Sequence, residues 1–122
     1  MAATIMAQAW RMGYRGNMDT ISEEEARQRL EGLPGWEYAN GRIRKQFVFR
    51  TFLRAVAFVN AVAYLAEAAK HHPDMTINYN TVTLRLITHS EDALTERDFN
   101  LARQIEELPM VALVEAQSDK AG

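Results

Sequence analysis

Apolar and polar residues recur along the chain with two different periods, and the changes of period mark its elements. Ser22 begins a capping box with Glu25, which predicts a first helix whose apolar positions follow at helical spacing. Asn40-Gly41 predicts a two-residue hairpin turn, because a type I′ turn needs positive φ at both positions. The strands that flank this turn are predicted at 36–39 and 42–49.

The middle of the chain predicts a long helix followed by a second hairpin. Thr51 can cap this helix, which should end near Lys70, because the residue before Pro73 is pushed out of the α region. The hairpin is predicted at about 75–89, with its turn near 78–80. The apolar stripe of the helix, rich in alanine and suited to close packing on a sheet, is predicted at Phe52, Val56, Val59, Ala63 and Ala66.

The last helix begins at Thr95, where Asp98 occupies the third helical position and completes a capping box. The element order is therefore α-β-β-α-β-β-α within a single domain. Two hairpins separated by helices predict an α+β fold, with one four-stranded antiparallel sheet and the helices on one of its faces. The open face and edges of such a sheet favour oligomerisation.

Composition narrows the class of protein. At 122 residues the chain can form one domain with a real core but not two. Its net charge of -2 argues against a general binder of nucleic acid or membrane surfaces, whose electrostatic footprint is basic. It contains no cysteine, which excludes disulfides and thiolate chemistry and fits a reducing compartment such as the cytoplasm. The longest apolar stretch, 52–66, is shorter than a membrane span, and none is predicted.

Both ends of the chain are predicted to lie outside the domain. Residues 1–19 are interpreted as a flexible N-terminal extension, which carries Arg11 and Arg15 and has no acidic residue before Met18. Such a segment is typical either of a targeting peptide or of an extension upstream of the ordinary start of the chain. The domain is assigned to 20–112, and 113–122 are predicted to form a polar tail.

The histidines are the main candidates for chemistry. All three lie within one short stretch, at His71, His72 and His89, and carboxylates flank them at Glu67 and Asp98. Histidine can both give and take protons near neutral pH, because its unperturbed pKa is about 6.5. The grouping therefore predicts a proton-transfer site rather than scattered surface residues.

These residues belong to a longer ordered pattern. It consists of Glu67, His71, His72, Pro73, Tyr79, His89 and Asp98. The pattern resembles the signature of the pterin-4a-carbinolamine dehydratases, and the resemblance extends over roughly residues 20–110. Two positions depart from it, because Lys70 stands where many members have an acid and Met75 where an aromatic residue is common.

The resemblance implies a concrete reaction, the removal of water from a 4a-hydroxytetrahydropterin to give the quinonoid dihydropterin. It implies no metal or organic cofactor, a pterin as substrate, a homodimer or homotetramer, and an aromatic amino-acid hydroxylase or another protein as partner. Neither nucleic acid nor a membrane is expected as a direct partner. Carried over by position, the catalytic residues are His71, His72 and His89, with His72 binding substrate, and the supporting residues are Glu67, Pro73 and Asp98.

Most of these residues also have a structural interpretation, and Glu67 could serve mainly as a partner at the helix end. His71 could complement the dipole at the end of the long helix, and Asp98 could serve as a helix cap alone. His72 and His89 could be an exposed pair, while Tyr79 most simply shapes the hairpin. A three-histidine zinc site is the other enzymatic alternative. It is disfavoured because adjacent residues in extended backbone point to opposite sides.

A non-catalytic role on the same fold is the alternative function. The family that the chain resembles includes a transcription coactivator and assembly factors for carbon-fixing enzymes. Open sheet edges, which can pair with another protein, suit such a role. The complete set of histidines favours catalysis.

Overall fold

Two hairpins build the main sheet of the protein, whose computed structural model describes residues 19–114. In chain order the elements are β1 (Thr20–Ile21), α1 (Glu23–Arg29), β2 (Glu37–Ala39), β3 (Arg42–Val48), α2 (Phe52–Ala69), β4 (Asp74–Asn78), β5 (Thr81–Leu86), β6 (Leu94–Thr95) and α3 (Glu96–Glu106). Short 3-10 helices follow α1 at Leu30–Gly32 and α3 at Pro109–Leu113. The sheet is antiparallel throughout, in the order β2-β3-β5-β4.

The local turn and cap signals act as predicted. Asn40 and Gly41 both have positive φ, at 53° and 81°, as a type I′ turn requires. Thr51 accepts a hydrogen bond from the Arg54 amide at 3.1 Å and so caps α2. The α+β architecture with three helices and one four-stranded antiparallel sheet is confirmed.

The core lies between the sheet and the helices. Phe58 of α2 packs its ring 4.7 Å from that of Phe47 and 5.0 Å from that of Phe49. Burial of each such side chain is worth about 1.5–3 kcal/mol, so this contact fixes α2 on the sheet. The fully buried large apolar residues of the sheet and of α3 include Ile43, Phe47, Val82, Leu84, Leu86, Phe99 and Ile105.

One prediction about α2, its apolar stripe, is wrong except at Ala66. The stripe that packs on the sheet is Ala55, Phe58, Val62 and Ala66, whereas Phe52 of the predicted stripe is 53% exposed. Both faces of this alanine-rich helix are apolar, so spacing alone does not distinguish them. The predicted end of the helix near Lys70 is confirmed, because α2 ends at Ala69 and Lys70 follows it in the left-handed conformation.

A small two-stranded ladder was not predicted. β1 pairs antiparallel with β6, placing Thr20 opposite Thr95 and Ile21 opposite Leu94. Each strand has two residues, which is too short for a period to show in the sequence. The ladder holds the start of the domain beside the N-terminus of α3, next to the predicted site.

By length and composition alone, α2 could cross a membrane, with a mean hydropathy of 1.4 over its 18 residues. It nevertheless packs one face on the sheet, as the core helix of a globular domain does. The predicted extension and tail lie outside the described residues, except for Asp19 and residues 113–114. The assigned domain limits of 20 and 112 stay predictions.

Candidate active site

The C-terminus of α2 places the two adjacent histidines. The amide of Lys70 donates to the Glu67 carbonyl at 3.2 Å, and the amide of His71 donates to the Ala66 carbonyl at 3.0 Å. This pair of bonds is a Schellman motif, with Lys70 at the left-handed position that glycine usually occupies (φ 53°). The motif reverses the chain at Lys70 and directs His71 back into the protein.

Arg97 ties this helix end to α3. Its guanidinium donates to the carbonyls of Ala69 at 3.2 Å and of Lys70 at 2.6 Å. The last carbonyls of a helix have no partner within the helix, and a cation there also complements its dipole. Arg97 therefore links the segment that carries His71 to the helix that carries Asp98.

His71 and Asp98 form a buried pair. The Nε2 atom of His71 lies 2.6 Å from Oδ1 of Asp98, and their side chains are only 7% and 0% exposed. A buried carboxylate is costly unless hydrogen bonds compensate for its lost hydration. Asp98 meets that requirement, because its Oδ2 accepts from the Thr95 amide at 2.9 Å and from the Thr88 hydroxyl at 2.8 Å.

Asp98 thus makes the contacts that both interpretations of this residue require. Its Oδ2 completes the capping box of α3 through the Thr95 amide. Its Oδ1 is directed at the imidazole of His71. Because different oxygens make the two contacts, Asp98 can cap α3 and contact His71 at the same time.

His72 and Glu67 form a second pair with very different surroundings. His72 Nε2 lies 2.8 Å from Oε2 of Glu67, and the two side chains are 63% and 76% exposed. Water screens this pair, and interactions of this kind typically contribute about 1 kcal/mol or less. Glu67 therefore contacts the predicted substrate-binding histidine rather than the buried one.

His89 reaches the same region from a tight turn. It follows β5 after an isolated bridge between Thr88 and Ala93, and its carbonyl accepts from the Asp92 amide at 3.1 Å. Its side chain is exposed. The turn, rather than the end of a strand as predicted, presents this histidine.

All three histidines line one open cavity of about 220 Å³. Its other lining residues are Lys70, Thr88, Ser90 and Arg97. A second depression of about 210 Å³ lies on the other side of His71 and Arg97, but neither His72 nor His89 lines it. The cavity shared by the histidines is therefore the candidate site, with proton-transfer groups and the cations Lys70 and Arg97 around one space.

Of the six predicted site residues, the three histidines line this cavity and the other three do not. Asp98 lies beneath it behind His71, and Glu67 reaches it only through His72. Pro73 is not among the lining residues. Tyr79 forms the β4–β5 turn with a φ of 56°, so it shapes the hairpin, and Met75 packs against the core.

Sequence reasoning missed Thr88, Ser90 and Arg97. Thr88 is buried and holds Asp98, which no local pattern reveals, because the two residues are ten apart and belong to different elements. Arg97 had one usable signal, its position inside the capping box of α3. Within residues 19–114, no three His, Cys, Asp or Glu side chains converge as a set that could hold a metal ion.

Comparison with known proteins identifies the family of this chain. The family model described as pterin 4 alpha carbinolamine dehydratase matches residues 19–108. The chain belongs to this family. The match spans the main sheet, all three helices and every residue of the candidate site.

Individual relatives give the same assignment. A provisionally named pterin-4-alpha-carbinolamine dehydratase of Thermomicrobium roseum is 52% identical over 79 residues, covering 65% of this chain and 85% of its own. Another from Roseiflexus sp. is 49% identical over 88 residues, covering 72% and 95%. A solved structure of a transcriptional coactivator/pterin dehydratase from Brucella melitensis superposes with a TM-score of 0.69 at 34% identity, covering 72% of this chain and 96% of that one.

Proposed function

We propose that this protein dehydrates 4a-hydroxytetrahydropterin to quinonoid dihydropterin and water by histidine acid–base catalysis, in the recycling of tetrahydropterin. The observation that carries the proposal is the buried His71–Asp98 pair, set at a cavity that His72 and His89 also line. Membership in the dehydratase family supports the substrate class. The catalytic roles come from chemistry and geometry.

The reaction needs two proton transfers and no change of oxidation state. The bond between C4a and the hydroxyl oxygen breaks, and the oxygen takes a proton to leave as water. The N5–H bond gives its electron pair to a new C4a=N5 double bond, and its proton passes to a base. One general acid and one general base are sufficient, and each typically contributes 10²–10⁴-fold.

The surroundings of the histidines suggest how the work is divided. A base becomes a cation when it takes the N5 proton, and a buried carboxylate behind it stabilises that charge. His71 has such a carboxylate in Asp98, which suits it to be the base. His89 is exposed in its turn and is the candidate acid, and His72 is the candidate substrate contact.

We propose that the reaction takes place in the cytoplasm without a metal or organic cofactor, in a homodimer or homotetramer. Cell fractionation and sedimentation would test the location and the oligomeric state.

The proposal is tested by following the absorbance decay of freshly generated 4a-hydroxytetrahydropterin. Wild type should accelerate the decay, and His71→Ala or His89→Ala should each lose roughly 10²–10⁴-fold of the acceleration. Asn60→Ala, on the exposed side of α2, is the matched control and should keep wild-type turnover. A folded wild type that does not accelerate the decay would refute the proposal.

A role as a binding partner is the second candidate, and one surface favours it. α2 leaves Leu53 and Tyr64 76% and 80% exposed, beside the half-exposed Phe52. Exposed apolar patches of this kind mark protein interaction sites, and the similar Brucella protein is described as a transcriptional coactivator as well as a pterin dehydratase. Normal turnover by a Leu53→Ser/Tyr64→Ser variant that no longer binds a protein partner of the wild type would establish this as a separate role.

A further inference from the structure

A chain of hydrogen bonds runs behind His71, and the direction of each bond can be assigned. The Arg97 amide donates to the Thr95 hydroxyl oxygen at 3.2 Å. The hydroxyl oxygens of Thr95 and Thr88 lie 2.7 Å apart. The Thr88 hydroxyl lies 2.8 Å from Oδ2 of Asp98. The three side chains Thr88, Thr95 and Asp98 are all buried, so water does not compete for these bonds.

Counting hydrogens fixes the arrangement. A threonine hydroxyl has one hydrogen to donate, and a carboxylate can only accept. Thr88 must therefore give its hydrogen to Asp98, and Thr95 must give its own to Thr88. The chain is directed from the Arg97 amide to the carboxylate, and Asp98 receives donors on both of its oxygens.

The carboxylate at the end of this chain of hydrogen bonds determines which nitrogen of His71 carries the proton. Oδ1 of Asp98 has no hydrogen to give, so Nε2 of His71 must carry the proton in the 2.6 Å contact. The neutral imidazole then keeps Nδ1 as the nitrogen that can take a proton. If Oδ2 lost its hydroxyl donor, the carboxylate would be held there by the Thr95 amide alone.

We propose that Thr88 is a positioning residue, whose hydroxyl holds Asp98 so that His71 keeps its proton on Nε2 and presents Nδ1 to the substrate. The inference rests on the proposed dehydratase function and extends it to a residue that need not touch the pterin through its hydroxyl. Thr95 acts in the same chain, but its amide and hydroxyl also cap α3, which makes Thr88 the cleaner test.

The test combines turnover with imidazole NMR on ¹⁵N-labelled protein. Thr88→Val removes the hydroxyl at nearly constant volume, and Thr88→Ser keeps it. Thr83→Val is the matched control, because Thr83 is also buried but lies five residues earlier in β5. The chain has three histidines, so the spectra are simple, and His72→Gln and His89→Gln assign the signals.

We expect wild type, Thr88→Ser and Thr83→Val to show His71 as the single Nε2–H tautomer with similar turnover. Thr88→Val should show a mixture of tautomers, and its kcat should fall by up to about 100-fold with little change in KM, as a misplaced base would cause. Backbone ¹H–¹⁵N spectra confirm that each variant is folded.

The inference is overturned if folded Thr88→Val keeps both the single tautomer and wild-type kcat. Equal losses in Thr88→Val and Thr83→Val would also overturn it, because a general loss of stability would then explain both. An inactive wild type would refute the proposed function instead. The tautomer comparison needs no substrate and would still decide whether Thr88 fixes His71.

Discussion

The protein has two histidine–carboxylate pairs within a few residues of each other, one buried and one exposed. His71 and Asp98 are 2.6 Å apart, and His72 and Glu67 are 2.8 Å apart. The first pair is almost completely buried, whereas more than half of each side chain in the second is exposed. The two pairs therefore differ little in distance and greatly in exposure to water, and burial decides which pair is held in one arrangement.

The difference comes from what surrounds each carboxylate. Asp98 is held by the Thr95 amide and the Thr88 hydroxyl, so its position is fixed before any substrate binds. Glu67 stands on the last turn of α2 in contact with water, where a single long side chain has many orientations. Preorganisation of this kind is what makes an electrostatic group effective in catalysis.

The largest effect is expected from Asp98→Asn. Asparagine has one acceptor oxygen, and the Thr95 amide and Thr88 hydroxyl would take it, which turns the side-chain NH₂ toward His71. His71 would then have to accept at Nε2 and carry its proton on Nδ1, the wrong tautomer for a base. Turnover should fall by roughly 10²–10⁴-fold while the protein stays folded, and imidazole NMR should show the switched tautomer.

Retained Nε2–H tautomer and full turnover in that variant would show that the buried pair does not control the chemistry. The control is Glu67→Gln, the equivalent change from carboxylate to amide in the exposed pair. Comparison of the two variants shows how the effect of this change depends on burial of the pair.

A much smaller effect is expected from Glu67→Gln. The exposed pair is screened by water, so loss of its charge should change kcat by only a few-fold and stability by about 1 kcal/mol or less. Parallel assays of turnover and chemical denaturation would measure both. A loss of turnover as large as that of Asp98→Asn would contradict the small contribution to catalysis that we assign to the exposed pair.

The smallest effect is expected at an exposed ion pair whose side chains do not line the cavity, that of Glu96 with Arg29. The hydrogen bond from Arg29 holds the pKa of Glu96 below its usual 4.5. A lowered carboxyl pKa adds stability above the ordinary pKa, and that stability is lost as the pH falls through the lowered value. Glu96→Gln should thus cost about 1 kcal/mol or less at pH 7.

The difference in free energy of unfolding between wild type and Glu96→Gln should shrink below about pH 4.5, as Glu96 is protonated. Denaturation at a series of pH values measures it. A difference that grows on acidification would contradict the assigned sign.

Local signals in the sequence predicted the fold well. Asn40-Gly41 and the Thr95–Asp98 capping box need only neighbouring residues, and the structure forms both. The buried face of α2 could not be read from spacing, because apolar residues occur all round that helix. Strands of two residues, such as β1, likewise carry no period.

The candidate site was predicted as a set of residue types and not as an arrangement. The sequence grouped three histidines with Glu67 and Asp98, but it did not show which carboxylate serves which histidine. Thr88 gave no signal, since its role arises only when the turn after β5 meets the N-terminus of α3. Pairings of this kind depend on tertiary packing, which local patterns do not encode.

The most direct test of the account is the turnover of 4a-hydroxytetrahydropterin by wild type, His71→Ala, Asp98→Asn and the double variant. If His71 and Asp98 act as one unit, each single variant should lose most of the acceleration and the double variant should be no slower than His71→Ala. Losses that multiply in the double variant, or a folded wild type without activity, would contradict the claim that this buried pair performs the chemistry.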